Sequence, residues 1–114
     1  MEIKKKENTE VIFMTPNLRT DRLSSALSDQ IVCSAAEKVA ANEQEGWLEQ
    51  YISAAKELCR ELKIPICDCY RIWKQFKAGG VDVNRLLANK INHPLRELHW
   101  LFAYELVKTI FDDE

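Results

Sequence analysis

The sequence lacks any long apolar run. No uninterrupted apolar stretch is long enough to cross a bilayer. The charged start Met1-Glu2-Ile3-Lys4 is not followed by the apolar segment that a secretory signal requires. We therefore expect a cytoplasmic chain with no membrane partner, and its 114 residues allow one domain at most.

Excess positive charge is also absent. Lysine and arginine number 16 against 18 aspartate and glutamate residues, which gives a formal net charge of −2. The basic run Lys4–Lys6 is flanked by Glu2 and Glu7, a pattern typical of a solvated face. Since nucleic-acid-binding domains usually carry a basic patch, we expect no nucleic acid partner.

Zinc-site spacing is missing from the four cysteines. Cys67 and Cys69 are separated by one residue, whereas structural zinc sites usually place two or more residues between paired ligands. We therefore expect reduced thiols packed as small apolar side chains, with no metal and no cofactor. An independent thiol or metal site at Cys67 and Cys69 is a weaker alternative, and it predicts metal or redox sensitivity. The other two cysteines are Cys33 and Cys59.

A strand–helix–strand pattern organises the chain. The short apolar runs Val11–Met14 and Ile64–Cys67 are typical of strands buried on both faces of a parallel sheet. An amphipathic helix is predicted between them at Trp47–Leu62. Short connections predict a right-handed crossover, with the strands parallel and this helix packed across them. The residues predicted to face the core are Trp47, Tyr51, Ala54, Ala55, Leu58 and Leu62.

Two further helices are predicted from apolar spacing. A shallow alanine-rich stripe at Ile31–Ala40 predicts one, with Ser28 as its cap. The second is predicted at Tyr70–Lys77 and should end at Gly79-Gly80. Asp68 either points into the cleft at the strand's carboxyl end or caps this second helix, and we favour the cap. The residues expected to face inward are Ile72, Trp73 and Phe76.

Both histidines lie in the stretch Asn89–Trp100. His93 directly precedes Pro94, and proline is favourable in the first turn of a helix, so we expect His93 at a loop-to-helix junction. The apolar residues that follow predict a largely buried helix. An imidazole on the loop side of such a junction can take and return a proton near neutral pH. The alternative is a structural histidine that hydrogen-bonds the backbone where the helix starts.

The run Asn92-His93-Pro94, followed by His99 and Leu101-Phe102-Ala103, resembles the last conserved block of the SGNH (GDSL-type) serine esterases. The resemblance extends back through Ile64–Tyr70 to Val11–Asn17. It covers nearly all of this chain but only the C-terminal half of a family domain. It implies an α/β fold in which residues 1–114 form the C-terminal part of a flavodoxin-like three-layer α/β/α domain, with two parallel strands plus helices.

The resemblance also implies roles for the two histidines. His93 would be the general base that activates a serine, and His99 would be helical, structural and packed. The family's serine, glycine and asparagine blocks lie upstream of Val11, and we assign no serine of this chain as the nucleophile. Lys90 stands where the family has the aspartate that orients the histidine. Residues that could orient the ring or line the site instead are Asn89, Asn92, Asp82 and Asn17.

Two functional hypotheses follow. The first is the C-terminal portion of an SGNH-type esterase, which carries only the histidine and acts on acyl esters or acylated carbohydrates once a nucleophile half is supplied. The second is a non-catalytic α/β module that self-associates or binds a partner. Two strands cannot cover every apolar residue of the last helix, so an exposed patch and unpaired strand edges should remain. We therefore expect the chain not to persist as a stable monomer.

Overall fold

Two short parallel strands join the two halves of the chain. In the computed structural model, which describes residues 9–111, β1 (Phe13–Met14) pairs with β2 (Ile66–Cys67). Met14 lies opposite Cys67, and the N–H of Thr15 donates to the Cys67 carbonyl at 3.0 Å. The predicted parallel pairing is confirmed, although each strand keeps only two residues of its apolar run. The basic run Lys4–Lys6 lies outside the described residues.

The described part of the chain is an α/β structure in which four helices surround this sheet. The connection from β1 to β2 contains two of them, and the other two follow β2. Two 3-10 turns, Val83–Leu86 and Arg96–Leu98, separate the last two helices. The helices are α1 (Gln30–Gln44), α2 (Trp47–Glu61), α3 (Cys69–Ala78) and α4 (His99–Phe111).

The apolar run around β1 predicts a strand buried on both faces, and this prediction is wrong. Met14 is 37% exposed, and Val11, Ile12 and Phe13 are half-buried. A parallel strand is buried on both faces only when helices or further strands cover each side. Between residues 9 and 111 the sheet has just these two strands, so β1 keeps one open side.

The face that α2 turns toward the core is not the predicted one. The predicted stripe is exposed at Trp47, Tyr51, Leu58 and Leu62, and Ile52 and Cys59 are buried instead. The helix carries two adjacent apolar stripes with the same spacing, displaced by one residue. The stripe with smaller side chains lies inward, which lets the helix approach the core more closely. That buried or half-buried stripe is Leu48, Ile52, Ala55 and Cys59.

Helix α3 follows the sequence prediction closely. Asp68 is its N-cap, and the carboxylate accepts a hydrogen bond from the N–H of Arg71. The indole of Trp73 is fully buried, as predicted. The helix ends before Gly79, and Gly80 takes the left-handed φ of 96° that favours glycine after a helix. Helix α1 is also confirmed, but its N-cap is Asp29 rather than Ser28.

A single apolar cluster lies between α2, α3 and the segment around the first 3-10 turn. Trp73 is at its centre, and the half-buried Leu101 and Phe102 bring α4 against it. The connection between β1 and α1 contributes Leu18. The remaining buried members are Ile52, Tyr70, Val83 and Leu87.

The last helix begins five residues later than predicted, at His99. Pro94 instead forms an isolated antiparallel bridge with Leu87, and Leu95 is extended, with ψ of 149°. Proline fits here because the bridge uses neighbouring N–H groups as donors: Ala88 donates to the His93 carbonyl at 2.7 Å. The fixed φ of proline suits an extended segment as well as a first helical turn, so the His-Pro pair alone did not identify a helix start.

The prediction that α4 would be largely buried is also wrong. None of its described residues is fully buried. Trp100, Tyr104 and Phe111 are 65%, 55% and 76% exposed. The exposed apolar patch that two strands could not cover is therefore present.

Candidate functional site

The loop that carries His93 is organised by one asparagine side chain. The Oδ1 atom of Asn89 accepts hydrogen bonds from the backbone N–H groups of Ile91, Asn92 and His93, each at 3.0 Å. Its Nδ2 donates to the Asn92 Oδ1 at 2.9 Å. Asparagine is well suited to this task because its short side chain can replace backbone partners in a tight loop. Lys90, at φ 60°, supplies the left-handed turn that the loop requires.

This loop is tied to the segment that follows β1. The Nδ2 of Asn17 donates to the Asn92 carbonyl at 3.0 Å, and the N–H of Thr20 donates to the Ile91 carbonyl at 2.7 Å. Three of the predicted site residues, Asn17, Asn89 and Asn92, therefore lie together around the backbone of His93.

The imidazole of His93 is exposed and stands apart from any orienting group. Within residues 9–111, neither of its ring nitrogens has a hydrogen-bond partner, and no serine hydroxyl bonds to either histidine. An exposed imidazole can exchange protons with water, but a general base needs a held orientation and a nucleophile within reach. His99 begins α4, and its predicted packing is wrong because its side chain is exposed.

Asp82 is engaged elsewhere. Its two carboxylate oxygens accept from the guanidinium of Arg22 at 2.8 and 2.7 Å, and the N–H of Asn84 donates to one of them. The hydrogen bonds from Arg22 lower the pKa of Asp82 to about 2. This carboxylate caps the first 3-10 turn and joins it to the β1–α1 connection, so it does not take the orienting role considered for it.

A second polar cluster, which sequence reasoning saw only in part, lies at the carboxyl ends of both strands. The buried hydroxyl of Thr15 donates to the Oδ1 of Asp68 at 3.0 Å and accepts from the N–H of Tyr70 at 2.8 Å. The ammonium group of Lys56 pairs with the other Asp68 oxygen. Asp68 thus caps α3 and also faces the strand ends, so the two roles weighed for it occur together.

The charge state of Asp68 reflects this contact set. Burial raises the pKa of the carboxyl, but the hydrogen bonds from Lys56 and Thr15 outweigh that effect and lower it overall. The cluster borders an open cleft of about 350 Å³ between α2 and α3. A second ion pair, Lys74–Glu49, lies across the same cleft at 2.9 Å. These paired charges hold the two helices in place.

The two cysteines Cys67 and Cys69 are close together and buried. The Sγ atoms of Cys67 and Cys69 are 3.9 Å apart, and both residues are fully buried. Burial and the neighbouring Cys67 raise the pKa of the Cys69 thiol to about 12, so it stays protonated at neutral pH. In the part of the chain that the structure describes, no group of three or more histidine, cysteine or acidic residues is placed to hold a metal ion.

Two exposed apolar stripes on α2 and α4 share one pattern. Each begins with tryptophan, continues with leucine, and has tyrosine four residues after the tryptophan. In both helices the leucine, Leu48 or Leu101, packs toward the core while the tryptophan and tyrosine face outward. We call the outward sets the α2 seam and the α4 seam. The α2 seam is Trp47, Tyr51, Ala54 and Leu58, and the α4 seam is Trp100, Tyr104, Val107 and Phe111.

The sequence analysis predicts an exposed patch on α4 but not the α2 seam. The spacing of four, three and four residues predicts that the α2 seam faces the core, because it is typical of any helix face that packs against another element. The sequence does carry a signal that the α2 seam need not face the core. A second apolar stripe, displaced by one residue, begins at Leu48. A helix with two apolar stripes needs two partners.

Comparison of the chain with protein-family models, with curated proteins and with solved structures found no match. Among residues 9–111, no helix combines the length and apolarity needed to span a bilayer. Function is therefore inferred from the residues and contacts of the chain itself.

Proposed function

We propose that this chain is an α/β interaction module whose exposed helix faces bind another polypeptide. The observation that carries the proposal is the pair of outward seams. Trp47 and Tyr51 are 59% and 69% exposed on α2, and Trp100 and Tyr104 are similarly exposed on α4. Tryptophan and tyrosine are the residues most enriched at the energetic centres of protein interfaces.

The small core supports the same proposal. A two-stranded sheet is marginal by itself, and each strand here has only two residues. Scattered exposed apolar residues are normal on a monomer, but contiguous apolar patches larger than a few hundred Å² usually mark association sites. A partner that covers the seams would supply the burial that the chain's own elements do not provide.

Light scattering coupled to size-exclusion chromatography tests this proposal. Wild-type chain should elute as an assembly, whereas a variant with Trp47, Tyr51, Trp100 and Tyr104 changed to serine should be monomeric and more soluble, with the same circular dichroism. A matched control changes four exposed polar residues of α1 to serine: Gln30, Glu37, Lys38 and Gln44. A wild-type chain that remains a monomer over a wide concentration range, and melts cooperatively, contradicts the proposal.

The second candidate is the C-terminal, histidine-bearing part of an SGNH-type esterase. Its support is the resemblance together with the hydrogen bond from Asn17 to Asn92, because that bond holds the His93 loop beside the segment after β1. Ligands of open α/β sheets collect beyond the carboxyl ends of the strands. A serine supplied by another polypeptide would attack the acyl carbon of an ester or acylated carbohydrate. His93 would take the serine proton and then return it to the leaving alcohol.

Ester hydrolysis tests this candidate in two steps. The chain alone should not hydrolyse a simple acyl ester faster than His93→Ala does, because a base needs a nucleophile. A burst of product from the chain alone, abolished by a serine-directed phosphonate, would contradict that expectation. Mixed with a polypeptide that carries the family's Gly-Asp-Ser block, wild type should exceed His93→Ala by ~10²–10⁴-fold. His99→Ala is the matched control. Equal rates for wild type and His93→Ala in this mixture would exclude the candidate.

A further inference from the structure

We propose that the α4 seam binds the α4 seam of a second copy of this chain, with the two helices antiparallel about a two-fold axis. This inference rests on the proposed function and names its partner. The seam is accessible along its length, since Trp100, Tyr104, Val107 and Phe111 are 65%, 55%, 54% and 76% exposed.

The spacing of the seam is self-complementary. Residues 100, 104, 107 and 111 are separated by four, three and four positions, so the seam has the same spacing read from either end. A two-fold axis between Tyr104 and Val107 therefore places Trp100 opposite Phe111 of the second copy, and Tyr104 opposite Val107 of the second copy. This is the spacing with which side chains of two helices interdigitate at a shallow crossing angle.

The exposed area matches what a stable dimer needs. With Ile110, which is 51% exposed and borders the seam, five large apolar side chains are open to water. A large apolar side chain has an area of roughly 150–250 Å². The five are 51% to 76% exposed, so complete burial of their exposed fractions would remove roughly 600 Å² per copy. Two copies would then reach about 1,200 Å², the lower bound of specific interfaces. An apolar patch of about 600 Å² is at the upper end of what a monomer exposes, and patches of that size often serve a function.

Pairing of two α4 seams is more favourable than pairing of two α2 seams, because one border of the α4 seam is apolar. The apolar residues Ala103 and Ile110 border it on one side, where an antiparallel pair brings no charges together, and the exposed Lys108 borders it on the other side. The antiparallel arrangement also sets the two helix dipoles in opposition, which is favourable. The α2 seam is smaller, since Ala54 occupies a central position, and charged residues follow it closely. The charged residues closest to the α2 seam are Glu57 and Glu61.

Part of the α4 seam is already ordered in a single copy. The rings of Trp100 and Tyr104 contact each other, with centroids 5.8 Å apart and planes inclined by 51°. Tilted aromatic pairs of this kind are favourable, so both side chains hold their orientation before a partner arrives. Less side-chain freedom is then lost on association, which strengthens binding.

Sedimentation equilibrium with matched arginine substitutions tests the inference. Tyr104→Arg puts two positive charges beside the axis of the proposed pair, and it should weaken dimerisation by at least about 30-fold, as expected for a central aromatic residue. Tyr51→Arg makes the same change on the α2 seam and should leave the dimer intact. Both side chains are more than half exposed, so each variant should fold, which circular dichroism would check.

A disulfide experiment tests the antiparallel register. Mild oxidation of a mixture of Tyr104→Cys and Val107→Cys should cross-link the two variants to each other more than either to itself. A dimer that Tyr51→Arg disrupts and Tyr104→Arg does not, or cross-linking of Tyr104→Cys mainly to itself, overturns the inference and leaves the proposed function standing. A wild-type chain that stays monomeric overturns both.

Discussion

Helices α3 and α4 are both rich in aromatic residues, but only α3 buries them. Tyr70 and Trp73 are 6% and 0% exposed, while Trp100 and Phe111 of α4 are 65% and 76% exposed. The difference comes from what lies opposite each helix. α3 is enclosed by α2, the 3-10 turn and the β1–α1 connection, whereas α4 covers β2 with one side only. We call the enclosed packing around α3 and the strand ends the closed side, and the exposed α2 and α4 seams the open side. Apolar spacing therefore predicts which helix faces need to be covered. It does not predict whether another element of the same chain or a second polypeptide covers them.

The largest expected effect lies on the closed side, at the centre of the core. Trp73→Ala should lower the free energy of unfolding by ~3–5 kcal/mol, because it leaves a cavity among well-packed side chains. The same change on the open side, Trp47→Ala, should stay within about 0.5 kcal/mol. Urea denaturation followed by circular dichroism measures both.

Trp73→Phe sharpens this test. The indole N–H of Trp73 is buried without a partner among the described residues, and phenylalanine removes that unsatisfied donor while keeping most of the ring volume. We expect a loss much smaller than that of the alanine variant. Equal losses for Trp73→Ala and Trp47→Ala would show that the closed and open sides do not differ as described.

A middle-sized effect is expected where the two strands end. Thr15→Val keeps the shape of the buried side chain but removes the hydroxyl that Tyr70 and Asp68 share. The N–H of Tyr70 would then be buried without a partner, which should lower the free energy of unfolding by about 1–3 kcal/mol. Thr15→Ser is the control, since it retains the hydroxyl, and a serine variant less stable than the valine variant would contradict the prediction.

Much of the closed side was predictable from the sequence. The buried Trp73, the Asp68 cap and the glycine end of α3 follow from local rules, which involve residues close together in the chain. The parallel pairing of the strands follows from the strand–helix–strand order. The wrong predictions concern choices that local rules leave open. α2 has two apolar stripes, and only the tertiary packing decides that Ile52 rather than Tyr51 faces inward.

The candidate site was predictable in its members but not in its arrangement. Asn17, Asn89 and Asn92 are predicted to orient the His93 ring or to line its site. Their hydrogen bonds bring all three to its loop, but none of these bonds is to the ring. Asp82 was misjudged because its partner Arg22 lies 60 residues away in the sequence, beyond the reach of any spacing rule. The late start of α4 was missed because proline fits an extended bridge as well as a helix.

The smallest expected effect is a pH dependence on the closed side. The pKa of Asp68 is lowered in the folded chain, so its ion pair with Lys56 stabilises the fold fully above the unfolded pKa. That contribution is lost as the pH falls through the folded pKa. Asp68→Asn should therefore lower the free energy of unfolding at neutral pH by on the order of 1 kcal/mol, as for partly exposed pairs.

The acid limb of the stability curve measures this effect. Below about pH 4, the free energy of unfolding of Asp68→Asn should depend less steeply on pH than that of wild type. Glu49→Gln, which breaks the more exposed Lys74 pair across the same cleft, is the matched comparison and should change the limb less. An unchanged acid limb for Asp68→Asn would show that the ion pair between Asp68 and Lys56 does not stabilise the fold.

The bridge between Leu87 and Pro94 makes the segment between them a replaceable cassette. Backbone bonds close it at its base, where Ala88 donates to His93 and Leu95 donates to Leu86. Lengthening a closed loop is inexpensive, since each doubling adds only about 0.6 kcal/mol of closure entropy. A foreign peptide inserted into this segment would therefore be displayed on a closed stem, provided that the carbonyls of Ile91 and Asn92 still accept from Thr20 and Asn17.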